Sequence, residues 1–221
     1  SPILSNSQFN KFINFFGKNS INIDCTFTQE ENLADAIKRI QKEAEIAVRQ
    51  GITQIILSDK DLSSQKLPMP MLLCVGAINT FLIEKKLRGY VSINVQSGEA
   101  LDTHSFATLI GVGATTINPY LAFDSLYQRH SKKLFGQFSF DECVKRYIKS
   151  VNAGLLKIMS KMGISVLSSY RGGCNFETVG LSRTVVDDYF PGVTSKISGI
   201  GLTGIEKKIR EIHKEAFEST E

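Results

Sequence analysis

Three long stretches of the chain place apolar residues at helical spacing, with charged residues between them. Each begins near a Thr or Ser that has a Glu three residues later, the signature of a helix N-terminal capping box. The three pairs are Thr28 with Glu31, Ser139 with Glu142 and Thr203 with Glu206. Gly51 and Gly163 follow the last apolar positions of the first two stretches, so we expect them to end those helices.

Short runs rich in β-branched residues lie between the helical stretches and predict strands. They alternate only weakly between apolar and polar residues, which is typical of strands covered on both faces. The runs are residues 21–24, 53–57, 91–95, 115–117 and 164–167. Because polar residues and then a helix follow each run, the order predicts parallel βα units. The predicted fold class is therefore α/β, with a mostly parallel sheet flanked by helices. It is either an open sheet or an incomplete (βα)-barrel-like unit.

Two regions depart from this pattern. Residues 126–138 carry a cluster of basic side chains ahead of the Ser139 cap and predict a long loop or insertion. After residue 168 the sequence becomes rich in glycine and then predicts short helical pieces broken at Pro191 and Gly199. The predicted organisation is one domain over residues 1–221, with its core at 1–168 and a glycine-rich segment at 169–221.

The composition is that of an ordinary globular chain. Its 221 residues are 42% hydrophobic and 22% charged, and the net charge of +4 comes without a run of like charges. We therefore expect neither nucleic-acid nor membrane partners. No stretch has the length and apolarity of a membrane span, and the first residues lack a signal-peptide pattern, so we expect a cytoplasmic protein. The four cysteines, which are widely spaced, are expected to be reduced thiols rather than metal ligands.

In a parallel βα fold, functional side chains collect where the strands end. Here that row is Thr26, Ser58, Asp59, Gln96, Ser97, Asn118, Ser168 and Ser169. It contains no Lys, no His and no pair of carboxylates, so a general acid or base is hard to assign. Asp59 is its only titratable member, and we expect it to cap the following turn. The row therefore points away from an independent enzyme.

Other motifs that can carry chemistry have a structural interpretation here. Gly199, Gly201 and Gly204 match a dinucleotide-binding pattern by spacing, but without a clear preceding strand we predict a loop. Arg171 beside two glycines could hold an anion, and the alternative is an exposed turn. The three histidines lack metal-binding spacing, and Cys25 has no base nearby in sequence that would activate it as a nucleophile.

Several longer segments resemble the central domain of glutamate synthase. They are LPMPMLL at residues 67–73, HSFATLIGVGATTINPYLA at 104–122 and GLLKIMSKMGISVLSSYRG at 154–172. The likeness extends over residues 1–217, nearly the whole chain. The third segment is long and unusual in composition, which makes the resemblance specific.

The resemblance implies a domain that has no catalytic residues of its own. In that family, one large polypeptide joins a glutamine amidotransferase domain, this central domain and an FMN-binding synthase domain. Ammonia released from glutamine passes through an internal tunnel to the FMN site, where 2-oxoglutarate becomes glutamate. The FMN and an iron–sulfur cluster belong to other domains, so we expect no cofactor in residues 1–221. The expected partners are the amidotransferase and FMN-binding domains of the same polypeptide, the latter reached through residues 169–221.

Within this framework Thr26, Phe27 and Thr28 are our candidates for the tunnel wall or an interdomain contact. Neutral ammonia needs hydrogen-bonding but uncharged surroundings, because a nearby carboxylate favours ammonium. Two alternatives remain open. One is a free-standing FMN-dependent βα-barrel oxidoreductase, although the chain is shorter than the roughly 250 residues of a typical barrel. The other is an independent interaction module. The sequence does not distinguish ferredoxin from a reduced nicotinamide as the electron donor.

Overall fold

The computed structural model of the chain describes residues 1–173 and 175–218. Its strands are β1 (Ser20–Asp24), β2 (Thr26–Thr28), β3 (Gln54–Ser58), β4 (Lys66–Pro68), β5 (Ser92–Gln96), β6 (Thr116–Asn118), β7 (Glu177–Leu181) and β8 (Thr194–Ile200). Its helices are α1 (Asn6–Phe16), α2 (Leu33–Arg49), α3 (Met71–Glu84), α4 (Thr103–Gly111), α5 (Tyr120–Ser131), α6 (Phe140–Lys161), α7 (Leu167–Tyr170), α8 (Arg183–Tyr189) and α9 (Leu202–Glu218). No helix of this part of the chain is long and apolar enough to cross a membrane.

The main sheet is parallel and has the strand order β1-β3-β5-β6. In its register Ile55 lies opposite Ile93, and Val95 lies opposite Ile117. A single bridge from Ile3 to Ile117 extends the β6 side of the sheet. Strands that follow chain order with a helix in each connection form the arrangement of half an eight-stranded βα barrel. Within the described residues the sheet does not close, so the prediction of an incomplete barrel-like unit is confirmed.

Four of the five predicted strands are present in the main sheet, within a residue or two of their expected bounds. The prediction of a strand at residues 164–167 is wrong, because this run follows the end of α6 and leads into α7. The Ile164 N–H donates to the carbonyl of Met159, and the Ser169 N–H donates to that of Val166. Local turns therefore use the backbone groups that a strand would offer to a neighbour.

One of the three predicted helix starts is correct. Ser139 accepts a hydrogen bond from the Glu142 N–H and begins α6. Helix α2 begins instead after Asn32, and Thr28 lies in β2. Helix α9 begins at Leu202, which places Thr203 inside it. The Thr-x-x-Glu spacing can occur in a strand with its following loop or within a helix, so it does not by itself define a helix start. Gly51 and Gly163 adopt positive φ just after α2 and α6, as expected of residues that end helices.

Two other local predictions are corrected by the structure. Residues 126–138 are not one long loop, because α5 continues to Ser131 and only the rest of the segment is irregular. In the segment after residue 168, β7 and β8 form a parallel pair, and α8 is the short helix between them. Pro191 follows α8 as predicted, whereas Gly199 lies within β8.

The core lies between the main sheet and helices α2, α3 and α4. Helix α3 is apolar on nearly all sides because α2, α4 and α8 surround it. Strands β2 and β4 form a separate antiparallel pair just beyond the end of β1, with Phe27 opposite Leu67. Helix α9 packs against α2 and β4, so it covers this pair.

Candidate functional site

Polar side chains that the sequence placed at the strand ends meet at the carboxyl edge of the main sheet. We call Ser58, Asp59, Gln96, Ser97 and Asn118 the carboxyl-edge cluster. All but Gln96 are buried. The backbone joins them, because the Asp59 N–H donates to the Gln96 carbonyl and the Ser97 N–H donates to that of Asn118. The structure therefore brings together five of the eight residues of the predicted row, while Thr26, Ser168 and Ser169 are not part of this cluster.

Asp59 is the centre of one half of the carboxyl-edge cluster. Its carboxylate accepts hydrogen bonds from the Ser97 hydroxyl at 2.6 Å and from the Gly98 N–H at 3.0 Å. Burial raises the pKa of Asp59, and these hydrogen bonds oppose the rise. Burial and the Asp59 charge also raise the pKa of the neighbouring Tyr120. The carboxylate thus fixes the loop after β5, and the prediction that it caps its own turn is wrong.

A chain of amide and hydroxyl groups forms the other half of the carboxyl-edge cluster. The Ser58 hydroxyl donates to Gln96 Oε1 at 3.0 Å, and Gln96 Nε2 donates to Asn118 Oδ1 at 3.2 Å. Asn118 Nδ2 then donates to the Leu4 carbonyl and to Asn6 Oδ1. Because these groups satisfy one another, the edge is closed by its own side chains and is tied to the start of the chain.

The structure adds Glu99, a carboxylate that the predicted row did not contain. Glu99 Oε2 accepts a hydrogen bond from the Met71 N–H at 2.7 Å, at the beginning of α3. Glu99 is an exposed residue, but the loss of water around its carboxyl group against α3 raises its pKa, and the charge of nearby Asp59 acts in the same direction. Two carboxyl groups therefore lie near each other, contrary to the sequence-based expectation. The first N–H groups of α3 need hydrogen-bond acceptors, and Pro70 before the helix has no side chain that could accept. This missing cap is the sequence signal that could have suggested an acceptor from elsewhere in the chain.

Thr26 lies in charged surroundings at the end of β1. Its N–H and its hydroxyl both donate to Asp24 Oδ1, and Asp24 Oδ2 pairs with Lys66 Nζ at 3.0 Å. Arg39 donates to the carbonyls of Asp24 and Thr26. Burial opposes ionisation of Asp24, but the hydrogen bonds from Thr26 and Lys66 outweigh it and lower its pKa. The predicted row contained no Lys, since Lys66 is distant from it in sequence. The pairing of β2 with β4 brings Lys66 to this edge.

The three predicted tunnel residues differ in exposure. Thr26 is 3% exposed, Phe27 is 1% exposed, and Thr28 is an exposed residue. The Arg210 guanidinium of α9 lies 5.4 Å from the centre of the Phe27 ring and covers it. Only Thr28 therefore lies at the surface of this chain, while Thr26 and Phe27 lie beneath it.

Ser168 and Ser169 do not join the carboxyl-edge cluster, because the predicted strand before them is absent. Ser168 and Arg171 instead line a cavity of about 620 Å³ beside Thr115 and Thr116, at the opposite end of β6. Arg171 Nη1 donates to Thr115 Oγ1 at 3.0 Å. The half-buried guanidinium thus holds the loop before β6 and is not simply an exposed turn residue.

The remaining sequence motifs have structural positions. Gly199 lies in β8, Gly201 follows it and Gly204 lies in α9, so the prediction of a loop there is wrong. Three of the cysteines are buried free thiols, as expected: Cys25, Cys74 and Cys143. Cys174 lies outside the described residues.

The side chains at this edge do not fit a bound flavin phosphate. Asp59 and Glu99 would repel an anion, and the Gly98 and Met71 N–H groups already donate to these carboxylates. In residues 1–173 and 175–218, moreover, no three His, Cys, Asp or Glu side chains are grouped so that they could hold a metal ion. The hydrogen bonds of Asp59 and Glu99 at the carboxyl edge are suited to fixing loops in place.

Comparison with known proteins gives a consistent result. The family model described as the glutamate synthase central domain matches residues 1–182. The chain is 48% identical over 220 residues to the glutamate synthase (NADPH) large chain of Azospirillum brasilense, and 44% identical over 220 residues to that of Bacillus subtilis (strain 168). These alignments cover 98% and 99% of this chain but 14% of each relative. A ferredoxin-dependent glutamate synthase of Pyropia yezoensis is 39% identical over 98% of this chain, which spans 15% of that relative.

Proposed function

The chain belongs to the glutamate synthase central domain family, and from this premise we propose that it is a structural domain of a longer glutamate synthase polypeptide. The polypeptide makes glutamate from glutamine and 2-oxoglutarate. Its glutamine amidotransferase and FMN-binding synthase domains are the partners of this chain. The domain covers residues 1–221, with a core at 1–168 and a segment at 169–221 that leads towards the FMN-binding domain.

The closed carboxyl edge of the main sheet is the observation that carries this proposal. In βα enzymes that edge is the usual place for substrate and cofactor. Here Asp59 is bonded to Ser97 and Gly98, and Asn118 is bonded to the start of the chain, so these groups are engaged in holding loops. We assign no catalytic residue to the chain, and the FMN and iron–sulfur cluster belong to other domains.

The same edge supports a route for ammonia along Thr26, Phe27 and Thr28. Lys66 and Arg39 lie beside Thr26, and positive charges disfavour protonation of ammonia to ammonium. Asp24 would have the opposite effect, but its carboxylate already accepts from Thr26 and Lys66. The surroundings are charged, contrary to the expectation from the sequence, and the proposed route rests on the positive charges of Lys66 and Arg39 beside Thr26.

The size of the natural polypeptide is the first test. An antibody raised against this chain should detect a band several-fold heavier than 24.5 kDa in an extract of the source cells. A band at 24.5 kDa would contradict the proposal and would favour a free-standing protein, whose ligands would then have to be sought separately.

The ammonia route is tested by Thr26→Val in the full-length polypeptide. Loss of the hydroxyl removes the hydrogen bond to Asp24 and leaves an apolar wall. We expect glutamine hydrolysis to continue while glutamate formation per glutamine hydrolysed falls. Thr80→Val is the matched control, because Thr80 is also buried but bonds to the Tyr189 carbonyl, far from this edge. One-to-one coupling in the Thr26→Val enzyme would refute the route, although not the structural role.

A further inference from the structure

The parallel pair formed by β7 and β8 leaves one apolar face uncovered. Val179 and Ile197 are opposite each other in the register of the two strands. These two residues are 66% and 60% exposed. Ile200 is 47% exposed, and a register shift in β8 places it opposite Leu181, on the same face. We call these three residues the exposed sheet face. Parallel sheets in folded proteins are almost always covered on both faces, so a two-stranded parallel pair with an open β-branched face is incomplete.

An apolar groove continues the exposed sheet face towards the body of the domain. A cavity of about 550 Å³ opens beside Val179, between β7 and α4. Its other apolar wall residues are Leu72, Val112, Phe176, Leu181, Phe190 and Val193. The face and the groove together offer a largely apolar surface, which is interrupted in the groove wall by polar residues: His104, Thr108, Asn175, Glu177 and Thr178.

The charges next to the exposed sheet face neutralise each other. Lys196 Nζ lies 3.3 Å from Glu177 Oε1, which joins the two strands beside the face. The surface is therefore suited to an apolar partner and not to a strongly acidic or basic one. A nucleic acid or an acidic carrier protein has no electrostatic attraction to it.

The comparison with relatives indicates where such a partner comes from. The relatives devote only 11% to 15% of their length to the region that this chain matches. We propose that the exposed sheet face is the docking site for an apolar segment of the same polypeptide that lies outside residues 1–221. This inference rests on the proposed function and adds to it the surface at which the domain meets a neighbour.

Thiol labelling at residue 197 tests the inference. Ile197→Cys is made in this chain alone and in the full-length polypeptide, each in a Cys174→Ser background, and modification at residue 197 is followed by peptide mass spectrometry. We expect labelling in the full-length polypeptide to be slower by about tenfold or more, because a covered side chain must wait for local opening. Ile83→Cys on α3, at a position that is 55% exposed, should label at similar rates in both.

The labelling results distinguish failure of the docking site from failure of the proposed function. Equal labelling rates at residue 197 in the two proteins would overturn the docking site while leaving the size and coupling results of the proposed function intact. Slower labelling of this chain alone at higher concentration would show that a second copy covers the face, which would also overturn it. A natural polypeptide of 24.5 kDa would remove the occupant, and both proposals would fail together.

A charged substitution provides a second, independent measurement. Ile197→Asp adds a charge that is tolerated on an exposed face but is costly once the face is covered. We expect a lower melting temperature for the full-length polypeptide but not for this chain alone. Ile83→Asp controls for the general effect of placing a carboxylate at an exposed apolar position. No selective loss for Ile197→Asp would contradict the inference.

Discussion

Asp59 holds a loop through its carboxylate, although its burial disfavours the ionised form. It is 2% exposed and accepts hydrogen bonds from Ser97 and Gly98, yet burial raises its pKa above the ordinary value of 3.8. An acid with a raised pKa in the folded state binds more protons when folded than when unfolded. Its contribution to the free energy of unfolding therefore improves as the pH falls from neutrality towards 3.8.

Asp59→Asn tests this balance. The amide keeps only one of the two acceptor oxygens and turns an NH2 group towards either Ser97 or Gly98, so we expect the variant to be destabilised by about 1–3 kcal/mol at about pH 4. The deficit should be smaller near neutral pH, because only the wild type then carries a buried negative charge. Urea unfolding over this pH range measures it, with Asp61→Asn at an exposed position as the control for loss of a carboxylate. A deficit that grows as the pH rises would contradict the assigned cause.

At the scale of elements, Gly76 sets how closely α3 approaches α8. A Cβ at this position would lie 2.7 Å from the Tyr189 carbonyl and would also overlap the Phe190 ring. Replacement of glycine by alanine in a helix usually stabilises the helix. Here we expect Gly76→Ala to lower the free energy of unfolding by about 1–3 kcal/mol, because the backbone of α8 must shift.

Gly89→Ala is the control for the Gly76 variant. Apart from its neighbours in the chain, no atom lies within 4 Å of a Cβ built at Gly89, so that change should alter the free energy of unfolding by no more than about 0.5 kcal/mol. Thermal or urea unfolding of both variants makes the comparison. If Gly76→Ala proved as stable as the wild type, α3 and α8 would have to be less tightly packed than the structure indicates.

Helix α9 fastens the loops at the end of β1. Arg210 donates to the carbonyls of Gln29 and Glu31, and Glu206 accepts from the Leu33 N–H at the beginning of α2. His213 Nε2 lies 2.7 Å from the Ser63 carbonyl, next to β4. These contacts join residues that are 150 or more positions apart in sequence, so α9 holds the carboxyl edge in place from a distant part of the chain.

Arg210→Met tests the contacts of α9 with the loops at the end of β1. The variant keeps an apolar stem but loses the hydrogen bonds to two carbonyls, so we expect it to be destabilised by about 1–3 kcal/mol. Hydrogen exchange of the segment around Gln29 and Glu31 should also become faster. Lys207→Met removes the same charge from an exposed position of α9 and should change stability by about 0.5 kcal/mol or less. Equal effects of the two substitutions would show that Arg210 acts only as a surface charge.

At the scale of the whole molecule, the half-barrel arrangement leads to a prediction about flavin binding. The carboxyl edge presents Asp59 and Glu99, which do not fit a flavin phosphate. We expect titration of the purified chain with FMN to show no saturable quenching of flavin fluorescence. Free flavin alone, titrated in the same way, is the control. Saturable binding with defined stoichiometry would instead support the FMN-dependent barrel and would count against the structural role.

The sequence predicted the main sheet better than its surroundings. Four strands are recognised because each is a compact run of β-branched residues between polar loops. The run at residues 164–167 has the same composition but no neighbouring strand, since its backbone groups are used in turns. The cap at Ser139 is correct, whereas those at Thr28 and Thr203 fail because the same spacing fits a strand or a helix interior.

The fold class, the order of the βα units and the polar side chains at the strand ends could all be predicted from the amino-acid sequence. These features depend on local periodicity and on the rule that parallel strands end at one edge. The charges that surround that edge, in contrast, depend on how distant parts of the chain fold together. Lys66, Glu99 and Arg210 reach it from a paired strand, a loop and the last helix. Contacts between distant segments leave no periodic signal in a single sequence, so the charged groups at the edge were visible only in the folded molecule.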